Sequence, residues 1–164
     1  MQKNNISLRQ ISLNDNLEGL EVLKNIAYDE TSNNESPVPE EIDENLYKGF
    51  LFLCEEETKK EDYCFRYWIL LDNKIIGYAD IKNPKDEEYK TKVGNIGIVL
   101  IKEYRNKGLG LKILKLLVSK AKKEFKMDKI LIVTGENNIS MRRLIERIGG
   151  NLEDINEKCQ YWIK

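Results

Sequence analysis

Tyr104-Arg105-Asn106-Lys107-Gly108-Leu109-Gly110 stands between two different hydrophobic patterns. Before it, Val93 to Ile101 reads as a strand. After it, Ile113, Leu114, Leu117, Val118, Ala121 and Phe125 fall on one face of a helix whose other face is rich in lysine. Two glycines let the backbone turn tightly, so successive amide N–H groups converge at the N-terminus of that helix. Unpaired N–H groups and the positive end of the helix dipole favour a phosphate or pyrophosphate there, with Arg105 and Lys107 adding charge from the rim. A loop that needs two glycines merely to turn is the competing account. The GxxxxGK[ST] spacing of a nucleotide P-loop is absent, and no third glycine completes G-x-G-x-x-G, so the expected ligand carries pyrophosphate but is not a dinucleotide of the usual kind.

Ile130-Leu131-Ile132-Val133, downstream, is an almost continuous apolar run that suits a strand buried on both faces. A second helix carries Met141, Leu144, Ile145 and Ile148, ends at Gly149-Gly150 and leads to a last strand around Tyr161-Trp162-Ile163. Upstream, Ile6 to Ile11 alternates as a first strand, and Leu17, Leu20, Leu23 and Ala27 recur at helical spacing behind the capping candidates Asn14 and Asp15. Thr31 to Pro39 reads as a mobile loop, and a short helical pattern follows through Ile42, Leu46 and Phe50. Tyr63 to Leu71, the Asp72-Asn73 turn and Ile75 to Ile81 form a hairpin signal, which Asn83-Pro84-Lys85-Asp86 ends. Meandering strands followed by strand, helix, strand, helix, strand imply an α/β (α+β) domain with a crossover in a mixed sheet.

At 164 residues a single domain over 1–164 is expected. No apolar run is long enough for a membrane span or a secretory signal, which points to a cytoplasmic protein with no membrane partner. Cys54, Cys64 and Cys159 form no C-x-x-C pair and the chain has no histidine, so neither a disulfide framework nor a metal site is expected. Acid–base chemistry falls to carboxylate, tyrosine, water or backbone. The net charge of −1 gives no general case for nucleic acid, and on the lysine-rich helix aromatic residues do not interleave with the lysines as stacking platforms would require. Acidic residues crowd Asp29 to Asp62 and basic ones Lys102 to Lys129, either as two solvated faces or as a cationic acceptor's end and an anionic donor's end.

Arg105, Gly108 and Gly110 fill a pattern of Arg or Gln, two residues, Gly, one residue, Gly or Ala, and Asn138-Ile139-Ser140 with Gly149-Gly150 follow at suitable spacing. In these features the chain resembles the GNAT superfamily of acyl-CoA-dependent N-acetyltransferases, well over Ile75 to Ile163 and loosely before it. The resemblance implies a mixed, mostly antiparallel central sheet flanked by helices, with acetyl-CoA as acyl donor and no metal. It implies a small amine or protein amine as acceptor, and a monomer or homodimer. The pantetheine arm would pair with Ile98, Val99 and Leu100, one of whose N–H groups would polarise the thioester carbonyl. The pyrophosphate would lie on the amides of Asn106, Lys107, Gly108, Leu109, Gly110 and Leu111, beside Arg105. Asn138 matches a position that contacts the pantetheine portion, although capping the following helix accounts for it equally well.

Many relatives carry a tyrosine on the second helix as the acid that protonates the leaving thiolate; the matching position here is Ile145. A base or water chain is still needed, since a lysine-like amine with pKa near 10.4 is neutral in fewer than about one molecule in a thousand at pH 7. Asp80, toward the end of a central strand, and Glu136, beyond the buried strand, are the carboxylates best placed, each with a surface role as its alternative. Tyr78 shares a strand face with Asp80, as core aromatic or acceptor wall. The expected activity is direct acetyl transfer in a ternary complex, and the alternative is a GNAT-like acyl-CoA-binding module without catalysis.

Overall fold

A computed structural model describes residues 5–27 and 41–164, so the loop expected at Thr31 to Pro39 lies outside the described residues. The chain runs β1 (Ile6–Gln10), α1 (Glu18–Ala27), α2 (Glu44–Glu57), β2 (Cys64–Leu71), β3 (Lys74–Lys82), α3 (Glu87–Val93) and β4 (Ile96–Leu100). A 3-10 turn over Lys102–Tyr104 then leads to α4 (Leu109–Lys123), β5 (Ile130–Thr134), α5 (Ile139–Arg147), β6 (Asn151–Asn156) and β7 (Lys158–Ile163).

The expected α/β architecture is present, with its strands divided between two antiparallel sheets, ordered β1-β2-β3-β4 and β5-β7-β6. One polar residue joins them. Asn95, 3% exposed, donates its main-chain N–H to Leu131 O at 2.7 Å, accepts the Leu131 N–H on Oδ1 at 2.8 Å, and donates Nδ2–H to Lys82 O at 3.0 Å. No ladder continues between β4 and β5 beyond it. The crossover through α4 therefore sets these two strands side by side at one end only.

Sheet packing follows from the alternation in β2. Tyr67 and Ile69 enter a core with Ile113, Leu114 and Leu117 of α4, whereas Trp68 and Leu70 enter a second core with Leu20 and Leu23 of α1 and Tyr47 and Leu51 of α2. The four-stranded sheet is thus covered on both faces. Asp15 does not cap α1; its carboxylate receives the Trp68 indole N–H at 2.9 Å and the Ser12 N–H at 2.8 Å and pairs with Arg9, which compensates its burial. Asn16, not Asn14, supplies the acceptor for the Glu18 N–H of α1. Two elements lie beyond the sequence expectations: α3, whose N-cap Asp86 accepts the Tyr89 N–H at 2.7 Å, and β6, exposed at all six positions.

Candidate active site

The bonds at the ends of the β3–β4 ladder fix its phase. Lys82 N–H bonds Asn95 O and Ile101 N–H bonds Ile76 O, so the odd-numbered residues between them, including Val99 opposite Tyr78, bond to β3. The even-numbered N–H and C=O groups, those of Ile98 above all, face the side on which β5 departs. Of the three positions expected along the strand, Ile98 and Leu100 therefore present main-chain N–H groups to that gap, while Val99 presents a side chain on the other sheet face.

Two clefts meet there. One, of about 510 Å³, is lined by Ile98, Val99, Leu100, Tyr104, Arg105, Asn106, Gly108 and Gly110 on one wall and by Asn138, Ser140, Met141 and Leu144 of the α5 segment on the other. Gly108, the N-cap of α4, has φ +74°, and Asn106 has φ +58°. This left-handed backbone turns the loop into α4, which begins with no side-chain cap because its N-cap is glycine. Its first N–H groups are therefore open to an anion, as the two-glycine loop suggests. Arg105 does not stand at the rim: its Nε–H and an Nη2–H both reach Leu100 O, at 2.9 and 2.7 Å, so it ties the loop to the end of β4. Lys107 is exposed, with Nζ 5.5 Å from the Tyr104 ring centroid. Leu109 is buried and Leu111 half-buried, which leaves their main chains as the groups that could serve the loop.

The second cleft, of about 520 Å³, lies on the β3–α3 side and is lined by Cys64, Arg66, Tyr78, Asp80, Lys82 and Thr134, among others. It shares Ile98, Val99, Asn138 and Met141 with the first. Asp80 is in its wall. A Cβ on Gly97 would stand 2.8 Å from Asp80 Oδ2, so the absence of a side chain at Gly97 makes room for this carboxylate, which Lys82 Nζ meets at 2.6 Å. Burial, with Asp80 adding to it, pushes the Cys64 thiol up to about 12, which keeps it neutral and unsuited to be a nucleophile. Tyr78 is a core aromatic, 2% exposed, and it also lines this cleft.

Glu136 is exposed and lines neither cleft; its main-chain carbonyl accepts from Arg142. Asn138 caps α5 through the Met141 N–H at 3.2 Å and also lines both clefts. Ile145 is fully buried, so α5 offers no acid at that position. The sequence reading did not find Lys82 or Asn95, and it placed Met141 and Leu144 on the second helix without assigning either residue to the site. Lys82 was discoverable, since it lies two residues from Asp80 on the same strand face. Among the described residues no group of three or more His, Cys, Asp or Glu could hold a metal ion, and no helix is long and apolar enough to cross a membrane.

Comparison with known proteins bears on the fold and the family. Residues 5–151 match the family described as the acetyltransferase (GNAT) domain. A "Probable spermine N(1)-acetyltransferase" of Bacillus subtilis subsp. natto is 28% identical over 113 residues, covering 65% of this chain and 74% of that protein. Among solved structures, the ribosomal L7/L12 alpha-N-protein acetyltransferase RimL in complex with coenzyme A superposes with a TM-score of 0.74 at 16% identity, over 96% of this chain and 93% of that one. Campylobacter jejuni N-acetyltransferase PseH in complex with acetyl coenzyme A gives 0.65 at 14% identity, over 98% and 99%. A chimera containing Vibrio cholerae spermidine N-acetyltransferase SpeG gives 0.71 at 15%, over 96% and 94%. The match over nearly the whole chain, on a fold that opens two joined clefts beside the glycine loop, makes this chain a member of the GNAT family of N-acetyltransferases.

Proposed function

We propose that the chain uses acetyl-CoA as donor and transfers the acetyl group directly to a primary amine while both are bound. The observation that carries this reading is the meeting of the two clefts at Ile98, Val99, Asn138 and Met141. The cleft beside α4 suits the donor: uncapped N–H groups for pyrophosphate at one end, and a strand edge with outward N–H groups toward the other. The Ile98 N–H is the donor to the thioester oxygen, and it gains in worth as that oxygen acquires charge in the transition state. The β3–α3 cleft takes the acceptor. The amine nitrogen attacks the carbonyl carbon, the C–S bond breaks, and the thiolate leaves without a tyrosine on α5 to protonate it.

Asp80 is the carboxylate this proposal uses, receiving the amine's proton directly or through water. Glu136, exposed and outside both clefts, is set aside. The names of two relatives make polyamines the first acceptors to test. Thiol release from acetyl-CoA with spermidine, L-lysine and benzylamine is expected for at least one amine, and Asp80→Asn should lower its kcat by roughly 10²–10⁴-fold. Undiminished turnover by that variant would remove Asp80 from the mechanism. A chain that binds acetyl-CoA yet releases no thiol with any amine would be a binding module instead.

A further inference from the structure

We propose that Lys82 occupies the acceptor-ammonium position on Asp80, and that the incoming amine must displace it, which makes Lys82 a determinant of acceptor selectivity. This rests on the assignment of Asp80 to the acceptor made above. Asp80 and Lys82 alternate along β3 and so share the sheet face that lines the acceptor cleft. Lys82 Nζ lies 2.6 Å from Asp80 Oδ1, with both side chains largely buried, at 18% and 16% exposure. The carboxylate rests against Gly97, where a Cβ would be 2.8 Å from Oδ2 and 3.1 Å from Oδ1. It therefore has main chain beneath it, Lys82 at one oxygen, and the cleft in front.

Arg66, which also lines this cleft and lies opposite Asp80 in the β2–β3 register, pairs with Glu57. Lys82 carries a compact ammonium on a flexible four-carbon stem, which is the chemistry a primary-amine acceptor presents. Two ammonium groups repel at one carboxylate, so acceptor and Lys82 exchange rather than share it. Acceptor affinity is then a difference between two similar contacts. Lys82 holds the carboxylate in place while the cleft is empty, and it discriminates against amines too hindered to replace it.

The test is steady-state kinetics of wild type, Lys82→Met and Lys82→Arg with acetyl-CoA and, as amines, spermidine, L-lysine and benzylamine. Lys82→Met is expected to lower the amine KM about tenfold, with kcat within about twofold and the acetyl-CoA KM unchanged; Lys82→Arg, which still pairs with Asp80, should leave the amine KM at or above the wild-type value. Lys82→Gln, should Lys82→Met fold poorly, is expected to act in the same way. An unchanged or raised amine KM in the folded neutral variants would overturn the inference, since a residue that only props Asp80 in place would cost kcat and gain no affinity. Asp80→Asn separates the two levels. Loss of activity there with an unchanged Lys82→Met KM sinks the Lys82 inference alone, whereas full activity there, or no turnover with all three amines, sinks the reading beneath it.

Discussion

Replacing Asn95 by alanine should weaken the hydrogen-bonded junction between the two sheets, which otherwise share the core under α4. The buried side chain satisfies the Leu131 N–H at 2.8 Å and the Lys82 C=O at 3.0 Å, and alanine leaves both groups inside the protein without those partners. An unsatisfied buried group costs about 1–3 kcal/mol, so the pair amounts to roughly 2–6 kcal/mol. In a domain of this size each kcal/mol lowers the unfolding midpoint by about 2–4 °C, which predicts a fall of roughly 4–24 °C by calorimetry. Activity should drop further than stability explains at a temperature where the variant is folded, because Asn95 fixes where β5 leaves β4. A misplacement of about 1 Å at the reacting groups costs on the order of 10²-fold in rate. Asn95→Asp keeps an acceptor for Leu131 but removes the donor to Lys82 and buries a charge, so it should be no more stable. The exposed Asn137→Ala serves as control and should stay within about 0.5 kcal/mol of wild type. An Asn95→Ala protein as stable and as active as that control would refute the role of this residue as the link between the sheets.

Gly110→Leu places a side chain where Cβ already comes within 2.7 Å of Leu144 Cδ1, a movable side-chain tip on the far wall of the cleft proposed for the donor. Gly110 is helical and has no positive φ, so the variant should fold with an unchanged midpoint while acetyl-CoA affinity, by calorimetric titration, falls roughly tenfold or more. Gly108→Ala meets nothing within 4 Å, and its cost should be the left-handed backbone alone, about 1–2 kcal/mol in urea unfolding. Burial pushes the Cys54 thiol from its ordinary 9.0 up to about 11, against the pull of Arg66 downward. The folded state therefore binds this proton more tightly than the unfolded state, and the associated stability, present below pH 9, is lost as pH rises toward 11, by about 3 kcal/mol. Urea unfolding at pH 8, 9 and 10.5 should show the decline, reduced in Cys54→Ala; a Cys54→Ala protein with the same alkaline slope as wild type would contradict it.

The elements that were legible from sequence are those whose own residues carry the pattern. Ile113, Leu114, Leu117 and Ala121 all lie buried on one face of α4 as their spacing requires, and Ile130, Leu131 and Ile132 are buried as the apolar run implies. The elements that were not legible have almost no hydrophobic signal: α3 is EEYKTKV with no buried residue, and β6 is NLEDIN, exposed throughout. Such segments take their structure from neighbours, β6 from its ladder with β7 and α3 from its cap and its packing beside β5. The glycine loop was legible because positive φ and tight turning demand particular residues locally. The junction was not, since Asn95, Met141 and the gap between β4 and β5 acquire meaning only when strands far apart in sequence meet. Arg105 illustrates the boundary: its place in the motif was readable, yet its two bonds to Leu100 O belong to the folded turn.

Thermal unfolding of the chain with acetyl-CoA, with CoA and with NAD tests the central claim most directly. At about 100 times its dissociation constant a ligand bound only by the folded state adds about 2.7 kcal/mol, here a rise of roughly 5–11 °C. The account predicts that rise with acetyl-CoA and CoA and none with NAD; no shift with either CoA species would contradict the assignment of the α4 cleft as the donor site.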